Sequence, residues 1–449
     1  MKTRLITSIT VLCFVLAFNQ SCLSQKQASF SGKVDEYISP YVNTNNFSGA
    51  VLVAQKGEIL YNKGFGMADE DFDIPNKPDT KYHIASLSKS FTAAAILLLQ
   101  ERGLLHTSDT ISKFIPGFPN GSKITIHHLL THTSGIPNIN SMPEYNKIAP
   151  FPQTPASLMA IFINKPLEFE PGTKYAYSNS NYNLLAYIIE KVSGKSYGDF
   201  TAENIFTPLH MTSTSHHGKA NWNIKHMAIG YQSDNNFGIE KANYLDWTTK
   251  TGNGSLYSTT EDLYKWDRAL YTEKTLSRES LEKMFTVYIA QTGYGWFMDN
   301  HLSRKRIYFN GRSPGFSSYI GRYPAEDVCI IVLSNNYIPL ATQIGSDIAA
   351  MLFGEKYESP KINTGKTDPQ ISREIIGQYQ FDEKFYQPNM LMTIREKDGR
   401  LFTDWGELIP GDPLQYIDRV YWFDIQFEKD SSGKITTLKY DTFKGIKKK

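Results

Sequence analysis

The sequence predicts an α+β protein that carries a separate all-β domain at its C-terminal end. Three observations carry this. Strand-like runs occur near the start, in GAVLVAQKGEILYNKGFG (residues 49–66), and return between residues 293 and 334. Residues 120–290 between them hold mainly helical patterns, broken by loops bearing Pro and Gly. Beyond residue 370 only alternating, hairpin-like segments remain. Strands, then helices, then strands is the order expected of segregated α and β layers.

At the N-terminus, Lys2 and Arg4 precede an apolar run from Leu5 to Phe18, the layout of a secretory signal peptide and short for a membrane span. Two processing readings stand: cleavage after residue 24, before Gln25, or lipidation of Cys22 as the first residue of a bacterial lipoprotein. Both place the protein outside the cytoplasm, in the periplasm or anchored to the outer membrane. Contact with a membrane is expected only through a lipid on Cys22.

The chain has 449 residues, 47 Lys and Arg against 45 Asp and Glu, and a formal net charge of +2. That balance gives no ground for a nucleic-acid partner, and the terminal KGIKKK reads as a solvated basic tail. Of the three cysteines, Cys13 and Cys22 lie in or beside the leader, which leaves Cys329 alone in the folded part and no internal disulfide. No CxxC or HExxH spacing occurs, and the pairs His127-His128 and His216-His217 diverge on any regular element. Neither a metal nor another cofactor is expected.

The strands of residues 49–66 meet at Lys56-Gly57, a turn-forming pair. SFTAAAILLLQ places a helix over residues 87–102, with Gly103 as its stop. GYGWFM, RIYFN, FSSYIGRYP and VCIIVLS read as strands, Cys329 being a buried residue of the last, and ATQIGSDIAAMLFG as a closing helix. Residues 356–370 form a polar linker that holds two prolines, and residues 371–449 a β domain with hairpins around Asp398-Gly399 and Ser432-Gly433.

Gly311-Arg312-Ser313-Pro314-Gly315 matches the G-x-S-x-G pattern of nucleophile elbows. The chemistry fails. The elbow's oxyanion hole needs the N–H of the residue after the serine, here Pro314, which has none, and the segment that follows reads as a strand rather than a helix. Ser86-Leu87-Ser88-Lys89 is the stronger candidate. It opens the apolar helix, where residues three apart share a face and the Lys89 amine reaches the Ser86 hydroxyl. The helix dipole favours charge developing at its start, and burial or a neighbouring cation would lower the lysine pKa toward that of a useful base. The same spacing at Ser280/Lys283 and Ser431/Lys434 falls in charged or turn-like surroundings, and for Ser86 the plain alternative is a helix cap.

The surroundings decide. YHIASLSKSFTA, LLTHTSGIP (129–137), FEPGTKYAYSNSNYNLLAYIIEKVSGKSY and GNGSLYSTTEDLYKW resemble, in order and spacing, the landmarks of the serine β-lactamase and penicillin-binding-protein-like hydrolases of the class C β-lactamase type. The resemblance covers residues 30–355. It implies an antiparallel sheet built from the N-terminal strands and those of residues 293–334, flanked by helices with a helical subdomain inserted. The C-terminal domain resembles the lipocalin-like appendages of such proteins.

The resemblance further implies that Ser86 is the nucleophile and that Tyr177 is a proton shuttle held by Lys89. Asn179, of Tyr177-Ser178-Asn179, either binds the substrate amide or orients Lys89. His132 is expected to hydrogen-bond its own turn. Alignment on Pro314-Gly315-Phe316 puts Phe309-Asn310-Gly311 at the family's third motif, and the Ser86 and Arg312 N–H groups would form the oxyanion hole. Phe309 departs from the family, which carries a cationic or hydrogen-bonding residue there. Arg312 either supplies the missing charge or points to solvent. The function implied is an exported serine hydrolase that forms an acyl-enzyme on Ser86 and acts on a small-molecule or peptide acyl bond, as an esterase, a D-amino-acid peptidase or a β-lactamase-like enzyme. The alternative is a weakly catalytic protein that binds peptidoglycan fragments.

Overall fold

The computed structural model describes residues 29–218, 223–236, 238–359 and 362–448. The leader, with both processing readings at Cys22 and Gln25, lies outside the described residues. Strands β1 (Gly49–Gln55) and β2 (Glu58–Phe65) are joined by a tight turn in which Lys56 (φ 53°) and Gly57 (φ 83°) are both left-handed, the geometry that suits a two-residue hairpin. Four later strands complete the sheet: β3 (Phe297–His301), β4 (Arg304–Ser313), β5 (Phe316–Tyr323) and β6 (Val328–Ser334). Their order is β3-β4-β5-β6-β1-β2, and every pairing is antiparallel. The first strand therefore lies against the last, Gly49 opposite Ser334, and the helical region is inserted between β2 and β3.

Both faces of the sheet are buried. Ala50, Leu52, Ala54, Cys329, Ile331 and Leu333 enter one core, while Val51, Val53, Val328, Ile330 and Val332 enter the other. This is why VCIIVLS shows no polar alternation. Helix α1 (residues 29–43) and α4 (Leu340–Phe353) cover the back face. On the front lie α2 (Ser88–Glu101) and α3 (Asn179–Ser193). Helix α2 is buried from Ser88 to Leu99, so its apolar residues need no single face.

GYGWFM departs from the strand expectation, since only Phe297 and Met298 enter β3. Gly295 sits at φ 74°, and a Cβ there would stand 2.7 Å from the Lys89 carbonyl oxygen, so this segment packs as a loop against the start of α2. The expected linker also ends earlier than residue 370. Asp368 caps a helix, α5 (Pro369–Ile375), with its side chain accepting from the Gln370 N–H.

Eight strands then form a closed barrel in sequence order: β7 (Gly377–Gln380), β8 (Leu391–Lys397), β9 (Arg400–Phe402), β10 (Glu407–Pro410), β11 (Gln415–Asp418), β12 (Asp424–Lys429), β13 (Ile435–Tyr440) and β14 (Phe443–Lys447). Closure comes from β14 pairing with β7, with Tyr379 opposite Lys447. The hairpins at Asp398-Gly399 and Ser432-Gly433 are both present. Tyr379, Phe381, Phe385, Met392, Ile394 and Leu401 pack with further buried residues of the barrel into one core, the filling expected of an eight-stranded barrel.

Candidate active site

Ser86 lies in a short 3-10 turn, Ala85–Leu87, that leads directly into α2. Ala85 before it takes φ 46°, a left-handed conformation that residues with a Cβ adopt at a cost, as is common at functional sites. The Lys89 ammonium is fully buried and meets three oxygens: Ser86 Oγ at 3.0 Å, Asn179 Oδ1 at 2.8 Å and the Asn253 carbonyl at 2.8 Å. Two of these are amide carbonyl oxygens, which can only accept. A neutral Lys89 amine donating to both would therefore aim its lone pair at the Ser86 hydroxyl. Burial pushes the Lys89 pKa well down, and the nearby positive charge of Lys250 lowers it further. Both causes anticipated from the sequence act together.

Tyr177 Oη stands 2.9 Å from Ser86 Oγ. Desolvation raises its phenol, opposed in part by the hydrogen bond with Ser86, so burial favours the neutral form of both Tyr177 and Lys89. Asn179 cannot swing freely. Its Nδ2 donates to Asn140 Oδ1 at 2.8 Å and its backbone N–H to Asn138 Oδ1 at 3.1 Å, which fixes Oδ1 on Lys89. Of the two roles considered for Asn179, orientation of Lys89 is the one this geometry builds, although Asn179 also borders the cleft.

The His132 side chain bonds outside its own turn, contrary to the sequence expectation. Its Nδ1 accepts from the Ser178 N–H at 3.2 Å, and its ring lies 4.5 Å from the Tyr177 ring, so it ties the 129–137 loop to the Tyr177 segment. Burial pushes its pKa down to about 3, with the charge of Lys89 acting in the same direction. The paired histidines diverge as expected: His127 Nδ1 meets Tyr294 Oη, while His128 Nδ1 accepts from the Thr125 N–H. Among the described residues no group of three or more His, Cys, Asp or Glu is placed to hold a metal ion.

The opposite wall of the cleft is β4. A Cβ on Gly311 would lie 2.7 Å from the Ser86 backbone N and 2.8 Å from the Ile84 carbonyl oxygen, so only glycine lets the strand stand this close to Ser86. Phe309 is buried and stacks on Phe297, with centroids 4.8 Å apart and planes 14° apart. Asn310 turns its Nδ2 to Thr342 Oγ1 at 3.2 Å. Arg312 borders the cleft and is half-buried, with its guanidinium bonded to protein rather than free in solvent. Its Nε donates to the Tyr337 carbonyl and its Nη2 to the Val420 carbonyl, both at 2.8 Å, with the guanidinium over the Tyr337 ring. Burial lowers the Arg312 pKa, and the two carbonyls with the aromatic face offset part of that cost. Ser313 is buried at the end of β4 opposite Phe316, and a strand follows it.

Ser86, Tyr177, Asn179, Phe309, Gly311 and Thr342 together border a cleft of about 490 Å³. Four contributors were not identified from sequence. The Asn253 carbonyl acts through backbone, which residue identity hides, although GNGS was among the landmarks. Asn138 and Asn140 belong to the loop after THTSG, and Lys250 precedes GNGS by two residues.

An antiparallel sheet facing a helix-start Ser-x-x-Lys, with Tyr-x-Asn closing the hydrogen-bond chain, defines a serine hydrolase. The chain belongs to the beta-lactamase family, whose sequence profile matches residues 34–350. It is 32% identical over 423 residues to penicillin-binding protein 4* of Bacillus subtilis (strain 168), covering 88% of this chain and 93% of that one. Among solved structures, the octameric penicillin-binding protein homologue from Pyrococcus abyssi aligns with TM-score 0.65 and 26% identity, over 93% of this chain and 99% of that one. D-amino acid amidase from Ochrobactrum anthropi SV3, complexed with D-phenylalanine, shares the fold with TM-score 0.66 at 22% identity, over 73% and 99%.

Proposed function

We propose that the protein is an exported serine hydrolase that cleaves amide or ester bonds through an acyl-enzyme on Ser86, on substrates whose leaving group carries no free carboxylate. The observation that carries the chemistry is the Lys89 amine, buried and held by two carbonyl oxygens with Ser86 Oγ as its third neighbour. Lys89 takes the Ser86 proton as Oγ attacks the substrate carbonyl. The Ser86 and Arg312 N–H groups receive the negative oxygen, an assignment supported by the close approach of Gly311 to the Ser86 N. Tyr177, kept protonated by burial, donates to the departing nitrogen or oxygen. The proton on Lys89 then restores the phenol through solvent that enters the cleft as the leaving group departs, because the esterified Ser86 oxygen has no proton to relay. Water then attacks the ester by the reverse sequence.

The leaving-group preference rests on the strand wall. Phe309 offers no charge, and the guanidinium of Arg312 is engaged elsewhere. The relatives named as penicillin-binding proteins and the fold shared with a D-amino acid amidase support an acyl donor of D configuration. Export to the periplasm, or anchoring through Cys22, rests on the leader sequence. The test compares turnover of a D-aminoacyl amide, a nitrophenyl ester, nitrocefin and a peptide ending in D-Ala-D-Ala, with Ser86→Ala as control. Neutral amides and esters should lead. Preference for the carboxylate-bearing pair would overturn the substrate assignment, and undiminished turnover by Ser86→Ala would overturn the mechanism.

A further inference from the structure

The barrel meets the hydrolase body through the turn that follows β11, where each of several consecutive residues makes a different contact. The Asp418 carboxylate is buried, and its Oδ1 accepts from the Val420 and Tyr421 N–H groups, both at 2.8 Å, which fixes the turn's shape. Arg419, fully buried, donates to Asn46 Oδ1 at 2.8 Å and Ser233 Oγ at 3.1 Å, both in the body, and pairs with Glu407 of the barrel. The Val420 carbonyl accepts from Arg312, and the Tyr421 ring lies 5.1 Å from the Arg312 guanidinium carbon. Trp422 packs edge-on against Tyr41 of α1, with centroids 5.8 Å apart.

Arg312 is the residue by which this turn reaches the cleft. Strand β4 runs past its neighbour: Phe297, the first residue of β3, pairs with Tyr308, so among the described residues Phe309–Ser313 have no strand partner on that edge. The free edge is where substrate would lie, and among the described residues only β5 pairs with this part of the strand. The Arg312 side chain supplies a second hold. It clamps the strand to Tyr337, whose own N–H donates to the Tyr231 carbonyl at 2.8 Å, and to the barrel turn. The barrel interior is packed with its own side chains, so its contribution to the body lies in this contact surface.

We propose that Arg312 is a positioning residue through which the barrel turn Asp418–Trp422 holds the oxyanion strand at Ser86, which makes the barrel a structural part of the catalytic unit. The inference rests on the Ser86 mechanism proposed above. An oxyanion N–H must be placed to within about 0.5 Å to act, and a misplacement of about 1 Å can cost roughly 10²-fold in rate. A partly buried guanidinium deprived of its carbonyl partners would also pull toward water and take the strand with it.

The test uses the full-length protein and the variants Arg312→Lys, Tyr421→Ala and the double. Two readouts are taken: the acylation rate with a neutral nitrophenyl ester, and deuterium uptake of the peptide spanning residues 307–316. Arg312→Lys keeps the charge but loses the fork that engages two carbonyls at once. It should slow acylation about 10- to 100-fold, with KM and the thermal midpoint little changed. Tyr421→Ala should slow the same step less, the double should be no slower than Arg312→Lys alone, and all three should exchange faster over residues 307–316. Parental acylation by Tyr421→Ala together with unchanged uptake would overturn the proposal, as would a loss by Arg312→Lys confined to carboxylate-bearing substrates. Absence of any adduct on the parent protein would instead count against the Ser86 mechanism, while deuterium uptake would still decide the clamp.

Discussion

On the helical wall of the cleft, one nitrogen, Lys89 Nζ, is surrounded by three oxygens fixed by neighbouring loops. On the strand wall, Phe309 and Gly311 present carbon and bare backbone beside Asn310, and the Arg312 guanidinium is bonded to the Tyr337 and Val420 carbonyls. The first wall can move protons but has little to read a substrate with. The second can hold an oxyanion and an extended chain but does no acid–base work. In the proposed mechanism, chemistry and recognition are thus carried by different elements, and each can be altered while the other is left in place.

The largest expected effect breaks the helical wall. Lys89→Met removes the base and should slow acylation by about 10²–10⁴-fold, measured in single-turnover experiments. Retention of the parental rate would place the base elsewhere.

A second substitution rewrites the strand wall. Phe309→His introduces a hydrogen-bonding ring where Phe309 stacks on Phe297. The turnover ratio of carboxylate-bearing to neutral substrates should rise, with a loss of about 1–3 kcal/mol in stability from disturbed packing, measured by urea unfolding. An unchanged ratio would mean that cleft shape, rather than charge, sets the preference.

A subtler change leaves both walls standing and shifts only the titration of Lys89. Lys250 lowers the Lys89 pKa, and Lys89 must be neutral to act. Lys250→Met should therefore move the acid limb of the rate profile to higher pH, with the alkaline plateau preserved. A limb that stays in place would contradict the coupling.

The smallest effect concerns stability. His83, His132 and His216 are held neutral by burial, His132 down to about 3 and His216 to about 4. Unfolded histidine titrates near 6.5, so below that pH the unfolded chain binds more protons, and the stability these residues lend is lost as pH falls toward their folded values. The urea midpoint should drop between about pH 7 and pH 4.5, and an unchanged midpoint would contradict their burial as neutral groups.

Much of this was legible in the residues. Ser86 and Lys89 share a face because the helical period puts them there, and the Lys56-Gly57 turn follows from the conformations those residues tolerate. Contacts made by backbone or across domains were not legible. The Asn253 carbonyl touches Lys89 wherever the loop folds that way, whatever side chain it carries. Arg312 lies 108 positions from Val420, and no local pattern signals a partner that distant. GYGWFM looked like a strand by composition, but Gly295 brings it against α2 in a conformation a strand cannot take.

The most direct test of the central claim is peptide mapping of the trapped acyl-enzyme. The protein is mixed with a neutral nitrophenyl ester, quenched in acid, digested and read by mass spectrometry. The acyl mass should sit on the peptide containing Ser86, and Ser86→Ala should carry none. An adduct on the peptide containing Ser313, or turnover with no adduct on any serine, would contradict the account.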